Sequence, residues 1–151
     1  MDDLVEDLTR GNVTEVKVVL ACIVVALAVY QVTLMAVVYG KVHVPFLKSK
    51  AASFAHRSVG DMIVAVTVTI AFMCVGYFEI QDGIEHASDG EEGRAAVHVI
   101  AAILLLSAIA LKIVVVRWWH SMGRFLPHIG LSIFVLFVVT WVTSAGDYLW
   151  G

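Results

Sequence analysis

Residues 95–118 read AAVHVIAAILLLSAIALKIVVVRW, a run in which only His98, Ser107 and Lys112 interrupt the apolar side chains before Arg117. About 20 such residues are enough to cross the hydrocarbon core of a bilayer. Lipid offers no hydrogen-bond partners to the backbone, so a spanning segment of this kind must be helical. The stretch therefore predicts a transmembrane helix.

Three further runs of the same character occupy residues 15–39, 59–79 and 127–148. The whole chain has 151 residues, of which 60% are hydrophobic and 15% charged, whereas soluble domains carry about 25% charged residues. We therefore expect an all-α protein with a single membrane domain over residues 1–151, built as a four-helix bundle with up-down-up-down topology. Local signals agree with these limits, because Gly40 can end the first helix and Pro127 can begin the fourth.

The charges in the connections predict an orientation. Basic residues cluster in the first and third connections, and acidic residues cluster in the N-terminal tail and the second connection. Because lysine and arginine favour the cytoplasmic side, both termini are expected on the outer side of the plasma membrane. The acidic N-terminus lacks the positive region of a signal peptide, so the first span is expected to stay in the mature protein.

Several function classes are disfavoured by composition and motifs. A net charge of -3 without a basic stripe argues against a nucleic-acid partner. Cys22 and Cys74 lie inside apolar runs and are interpreted as small buried hydrophobic residues. The chain has no G-x-G-x-x-G, P-loop or Cys-x-x-Cys motif, so nucleotide and iron–sulfur chemistry would have to come from a partner.

Histidines are the most informative polar residues, because an imidazole in lipid is costly without a partner and haem iron is a common one. The sequence has six, and four are predicted at helix ends: His56, His98, His120 and His128. The other two, His43 and His86, are predicted in connections.

At the cytoplasmic end, His56 and His128 are predicted to begin the second and fourth helices. These helices lie diagonally across an up-and-down bundle, so their imidazoles can approach one iron from opposite sides. His120 competes for either role, or is an interfacial histidine beside Trp118 and Trp119.

At the outer end, His98 needs a different partner, because His120 lies roughly 33 Å away along the same helix. Met73 reaches the same depth and can supply a thioether ligand to iron, although methionine also fills packing gaps routinely. His86 is another candidate. One or two haem b groups are therefore expected, and two would connect the two faces of the membrane for electron transfer.

Cationic residues near the cytoplasmic end complete this prediction. Lys112, Arg117 and Arg57 can neutralise haem propionates while Asp61 orients a histidine. An Asp61–Lys112 ion pair is the alternative.

Short motifs resemble those of a known group. They are His56-Arg57-Ser-Val-Gly60, a histidine early in the next span (His98), Lys112-Ile-Val-Val-Val-Arg117, Leu126-Pro127-His-Ile-Gly130, Phe134 and Trp141-Val-Thr-Ser-Ala145. Over the last three spans the chain is similar to small bacterial four-helix membrane proteins that group with di-haem cytochromes of the b type. In those relatives a histidine stands at the place of Met73, and an apolar residue often stands at the place of His128.

The resemblance implies a haem-b-binding membrane electron-transfer protein that passes electrons between a quinone pool and a partner redox protein. Membrane lipid, other subunits of a redox complex and quinone are the expected partners. The alternative is a haem-free subunit whose helices brace a larger respiratory complex. A transporter is less favoured, because no span is broken by glycine or proline near its middle.

Overall fold

The computed structural model describes residues 12–77 and 89–150. Four helical segments in it are long and apolar enough to cross a membrane, and the described residues form no β-strand. The all-α bundle is therefore confirmed, and the chain is a multi-pass membrane protein by the length and composition of its helices. The elements in chain order are α1 (Val13–Val38), α2 (Ser49–Tyr77), α3 (Asp89–Arg117), a 3-10 helix (His120–Phe125), α4 (Leu126–Trp141), a π-helical turn (Val142–Gly146) and the short α5 (Asp147–Trp150).

The second and third helices begin earlier than their apolar runs. α2 starts at Ser49, so the prediction that His56 begins this helix is wrong: it lies two turns inside. Ala51, Ala52 and Ala55 explain the difference, because alanine has the strongest helix propensity and extends the helix beyond the hydrophobic stretch. α3 likewise starts at Asp89.

Glycine and proline mark helix limits as expected. Gly40 has a positive φ of 67°, and the backbone closes there in a Schellman motif: Gly40 N–H donates to the Val37 carbonyl at 3.0 Å, and Lys41 N–H donates to the Ala36 carbonyl at 2.8 Å. Pro127 lies in the first turn of α4. The N-cap of α1 is Asn12, but its side chain makes no capping hydrogen bond.

Contacts between helices establish the antiparallel order. Towards its C-terminal end, α1 bonds the early part of α2, through Gln31 and His56, whereas its first turns pack against Met73, late in α2. The fourth segment, made of α4 and the π-helical turn, runs antiparallel to α1 and α3. Trp141 near its end bonds Cys22 early in α1, and Thr143 bonds His98 early in α3. α1 packs closely on α2 and α4, and α3 packs closely on α4.

A hydrophobic core fills the middle of the bundle. Each of the four segments contributes to it, and its buried members are Val24, Ala28, Ile63, Leu105, Ile109, Ile133 and Phe137. A second buried group joins the end of α1 to the start of α2 around Leu34, Val37 and Ala52. The polar side chains of interest lie on either side of the central core.

Candidate functional site

Two groups of polar residues lie at different depths in the bundle. The His98 cluster consists of Lys17, Cys74, His98 and Thr143. The His56 cluster consists of Gln31, His56, Gly60 and Lys112. Each is built by residues from three or four helices, and the central hydrophobic core separates them.

In the His98 cluster, a hydrogen bond of 3.0 Å joins His98 Nδ1 to Thr143 Oγ1. The Thr143 hydroxyl also donates to backbone carbonyls of its own helix, at 2.9 Å to Val139 and 3.2 Å to Thr140. Since a hydroxyl has one hydrogen, its oxygen is left to accept from the imidazole. With the hydroxyl hydrogen directed to these carbonyls, we assign His98 Nδ1–H as the donor, and in that tautomer the lone pair of the neutral ring lies on Nε2. That nitrogen could serve as a metal ligand.

The helix segment that carries Thr143 is irregular. Val142–Gly146 forms a π-helical turn between α4 and α5. Single π-helical turns of this kind occur frequently at functional sites. Immediately before this turn, Trp141 Nε1 donates to Cys22 Sγ on α1 at 3.3 Å, so the indole connects α4 to α1 there.

Two cationic side chains lie within electrostatic range of His98. Lys17 on α1 acts on both His98 and the Cys74 thiol of α2, so side chains of three helices lie at this depth. Arg94, one turn before His98 on α3, acts on the same imidazole.

Met73 does not share the surroundings of His98. Its side chain is buried and packs against Val16 and Leu20 of α1, whereas His98 bonds Thr143 of the fourth segment. The two residues therefore contact different helices, and Met73 fills a space in the packing. Its role as an iron ligand stays a prediction, and the alternative ligand His86 lies outside the described residues.

The His56 cluster is centred on a bond between two helices. Gln31 Nε2 donates to the main-chain carbonyl of His56 at 2.7 Å. Gly60 lies one turn further along α2, and a Cβ atom added there would come within 3.2 Å of Gln31 Nε2. The glycine thus leaves the space through which the Gln31 amide reaches the backbone of α2.

Two polar atoms of this cluster are orphaned. Among the side chains that the structure describes, Gln31 Oε1 and His56 Nδ1 are buried without a hydrogen-bond partner. Lys112 of α3 is half-buried and close enough to His56 to act on it electrostatically. Buried polar atoms without partners are uncommon in proteins and require an explanation.

Residues of the two clusters lie on one face of α1 and on one face of α3. On α1, Lys17 and Gln31 are 14 residues apart, and His98 and Lys112 have the same separation on α3. Fourteen residues correspond to about 21 Å and close to four whole turns. Both pairs therefore face the same side of their helix, and the core residues of those helices lie between them.

The predicted partner of His56 is placed elsewhere. His128 is exposed in the first turn of α4. The Cys22–Trp141 bond sets the alignment of α1 with the antiparallel α4. Gln31 is nine residues after Cys22 and Ser132 is nine residues before Trp141, so these two residues lie at the same depth. His128 is thus about 6 Å from the depth of the His56 cluster. His120 belongs to the 3-10 helix, but its side chain is not among those described.

The charged residues predicted near the propionates differ in exposure. Arg57, Arg117 and Asp61 are exposed, whereas Lys112 is half-buried. Within the described part of the chain, no ion pair joins Asp61 to Lys112, so that alternative is not supported. His43 is exposed in the first connection.

Gln31 and Thr143 were not singled out from the sequence. Gln31 is the one amide in the apolar run of residues 15–39, and a polar side chain at membrane depth is itself a signal of function. Thr143 carries no such signal, because a threonine in a helix usually bonds its own turn.

Known proteins provide one relationship. Comparison with curated proteins and with solved structures finds no match for this chain. Residues 5–150 match the family described as DUF6529, a family of unknown function. The match covers nearly the whole chain, and the protein therefore belongs to the DUF6529 family.

Proposed function

We propose that the protein binds haem b and transfers electrons in the plasma membrane, passing them between a quinone pool and a partner redox protein. The observation that supports this function best is the His98–Thr143 bond of 3.0 Å. With Nδ1 assigned as the donor, Nε2 is the basic nitrogen, which is the arrangement that metal-ligating histidines use.

The residues around His98 fit such a group. Histidines that hold iron are oriented by a hydrogen bond to their other nitrogen, and Thr143 supplies it here. A haem b held there would supply one-electron chemistry between its ferrous and ferric states.

The chain's own residues would orient the ligand and keep water away. The hydrogen bond to Thr143 would hold the His98 ring in one orientation. The hydrophobic core beyond Leu105 closes the cluster on its inner side. Met73, which packs against Val16 and Leu20 of α1, would be the thioether ligand if a residue of α2 also held this haem. The remaining ligand candidates (His56, His128, His120) belong to a second haem if the protein binds two.

A haem-free bracing subunit is the second candidate function. It is supported by the core that joins all four segments without interruption, and by the fact that Thr143 already gives His98 Nδ1 a hydrogen-bond partner. In that case the His98 cluster serves only to connect α3 with the fourth segment.

The two candidates are separated by counting haem. The full chain is expressed with ample haem supply, purified in mild detergent, and its reduced-minus-oxidised spectrum and haem content per chain are measured. We expect one or two b-type haems, and loss of one on His98→Ala. His128→Ala, at an exposed position, tests whether a second haem depends on that residue, and His43→Ala is the control in the connection. Protein without haem in every preparation would contradict the electron-transfer function and favour the bracing subunit.

A further inference from the structure

Asp61 places a carboxylate on the outside of the bundle, near the middle of the membrane. It lies close to the centre of the spanning segment Ser49–Val75, roughly 18 Å from one end and 21 Å from the other. Ile63, two residues further on, is buried in the central core. Two residues of a helix differ in direction by about 200°, so the exposed Asp61 side chain points away from the core and towards lipid.

The chain itself does not cover this carboxylate. A charged side chain at this depth is costly and is normally paired. Within the described ranges, Asp61 makes no hydrogen bond and no ion pair. Of the other described helices, α2 packs closely only on α1, and the Asp61 face is turned away from that contact. A group from outside this chain is therefore needed at this face.

A cation stands on the same outer face of α2. Arg57 is exposed one turn before Asp61, about 6 Å along the helix and only about 40° around it. Ala65, one turn after Asp61, is also exposed, and a small residue at that point lets another helix approach closely. A face with one anion and one cation matches a second copy of itself, because a two-fold axis brings each charge near the opposite charge of the other copy.

We propose that the chain forms a two-fold symmetric dimer in the membrane through the outer face of α2, with Asp61 of each copy paired with Arg57 of the other. Both copies have the same orientation in the membrane, so their α2 helices run parallel and equivalent residues lie at equal depth. The long Arg57 side chain covers the single turn that separates it from Asp61, and guanidinium–carboxylate pairs are strong. The dimer does not depend on haem binding.

The first test exchanges charges between copies. Asp61→Arg leaves two cations on the face, and Arg57→Asp leaves two anions. Copies of the full chain with two different affinity tags are produced in one membrane, and recovery of the second tag with the first is measured in mild detergent. Wild-type copies are expected to copurify, and each variant by itself is expected to lose about tenfold of that association.

Producing the two variants together should restore association, because every cation then faces an anion of the other copy. An ion pair within one helix cannot be restored by mixing, so this result separates a dimer contact from an Arg57–Asp61 pair inside one chain.

The second test uses disulfide crosslinking in native membranes. Ala65→Cys is introduced into a chain whose Cys22 and Cys74 are replaced by serine, and the thiols are oxidised with copper phenanthroline. The matched control is Ile103→Cys, whose native side chain is 60% exposed on α3. His56 and Lys112 interact on antiparallel helices, so nine residues from each brings Ala65 and Ile103 to the same depth.

We expect Ala65→Cys to crosslink and Ile103→Cys to do so about tenfold less, and we expect Asp61→Asn to reduce the Ala65→Cys product. The proposal is overturned if wild-type copies do not associate, if both like-charged variants associate as well as wild type, if mixing them gives no gain, or if the two cysteine positions crosslink equally. If the like-charged variants do not accumulate, the crosslinking result decides.

Discussion

The Gln31 side-chain amide donates to the main-chain carbonyl of His56 across the interface between α1 and α2, at 2.7 Å. A helical carbonyl already accepts from the N–H four residues later, which is that of Gly60 here. The His56 carbonyl thus joins the two helices at a point where α2 has no side chain. This contact couples the packing of α1 on α2 to the hydrogen bonding of the His56 backbone.

Gly60→Ala should leave stability nearly unchanged. The gain in helix propensity, about 0.5–1 kcal/mol, is offset because the new Cβ lies 3.2 Å from Gln31 Nε2 and weakens its bond to His56, worth about 0.5–1.5 kcal/mol. The comparison is Gly130→Ala in α4, where no described atom lies within 4 Å of the added Cβ. This variant should keep the full gain in helix propensity. The free energy of unfolding is measured in mixed detergent micelles. Equal stabilisation by both variants would show that Gln31 is not constrained by Gly60.

Thr143→Val should weaken haem binding while the bundle stays folded. The substitution preserves side-chain shape but removes the oxygen that accepts from His98 Nδ1, and loss of such an orienting bond typically lowers metal affinity about 10–100-fold. Haem affinity is measured by titrating haem into protein prepared without it, with ¹⁵N spectra of the histidine ring as a readout independent of haem.

The matched control for that variant is Thr69→Val, whose hydroxyl is exposed and bonds only Ala65 of its own helix. If Thr143→Val and Thr69→Val bind haem equally well, Thr143 has no part in orienting an iron ligand. An Nε2–H tautomer of His98 in the wild-type ¹⁵N spectrum would contradict the hydrogen-bond assignment itself.

Gly40→Ala should destabilise the protein by roughly 1–2 kcal/mol, because the left-handed conformation is unfavourable for a residue with a Cβ. The φ of Gly40 is 67°, and no described atom lies near an added Cβ, so the cost is conformational and not steric. Gly40→Asn should cost less, since asparagine adopts this conformation more readily. Thermal unfolding of the two variants in detergent measures the difference, and equal melting temperatures would be inconsistent with a strained backbone at this position.

Phe137→Ala should destabilise the bundle by about 3–5 kcal/mol, because it removes a buried ring from the core that all four segments share. Val135→Ala changes a neighbour that is 51% exposed and should stay within about 0.5 kcal/mol of wild type. The free energy of unfolding, measured in mixed micelles, distinguishes the two variants. A small effect at Phe137 would mean that the centre of the bundle collapses readily around the missing ring.

The sequence by itself determined the number of membrane-spanning helices, their class and two of their limits. Apolar length decides which segments span a membrane, and Gly40 and Pro127 are local signals that act within a few residues of where they stand. The start of α2 was less predictable, because Ala51, Ala52 and Ala55 continue the helix where hydropathy falls. His98 was visible as a candidate for the same reason, because it is conspicuous in an apolar run.

Only the tertiary structure decided which polar groups meet. Gln31 and His56 are 25 residues apart, and His98 and Thr143 are 45 apart, so no local pattern connects them. A soluble helix would reveal its inner face by an apolar stripe. These helices are apolar on all sides, because lipid covers what the bundle does not, and hydropathy therefore does not distinguish the buried face from the exposed one.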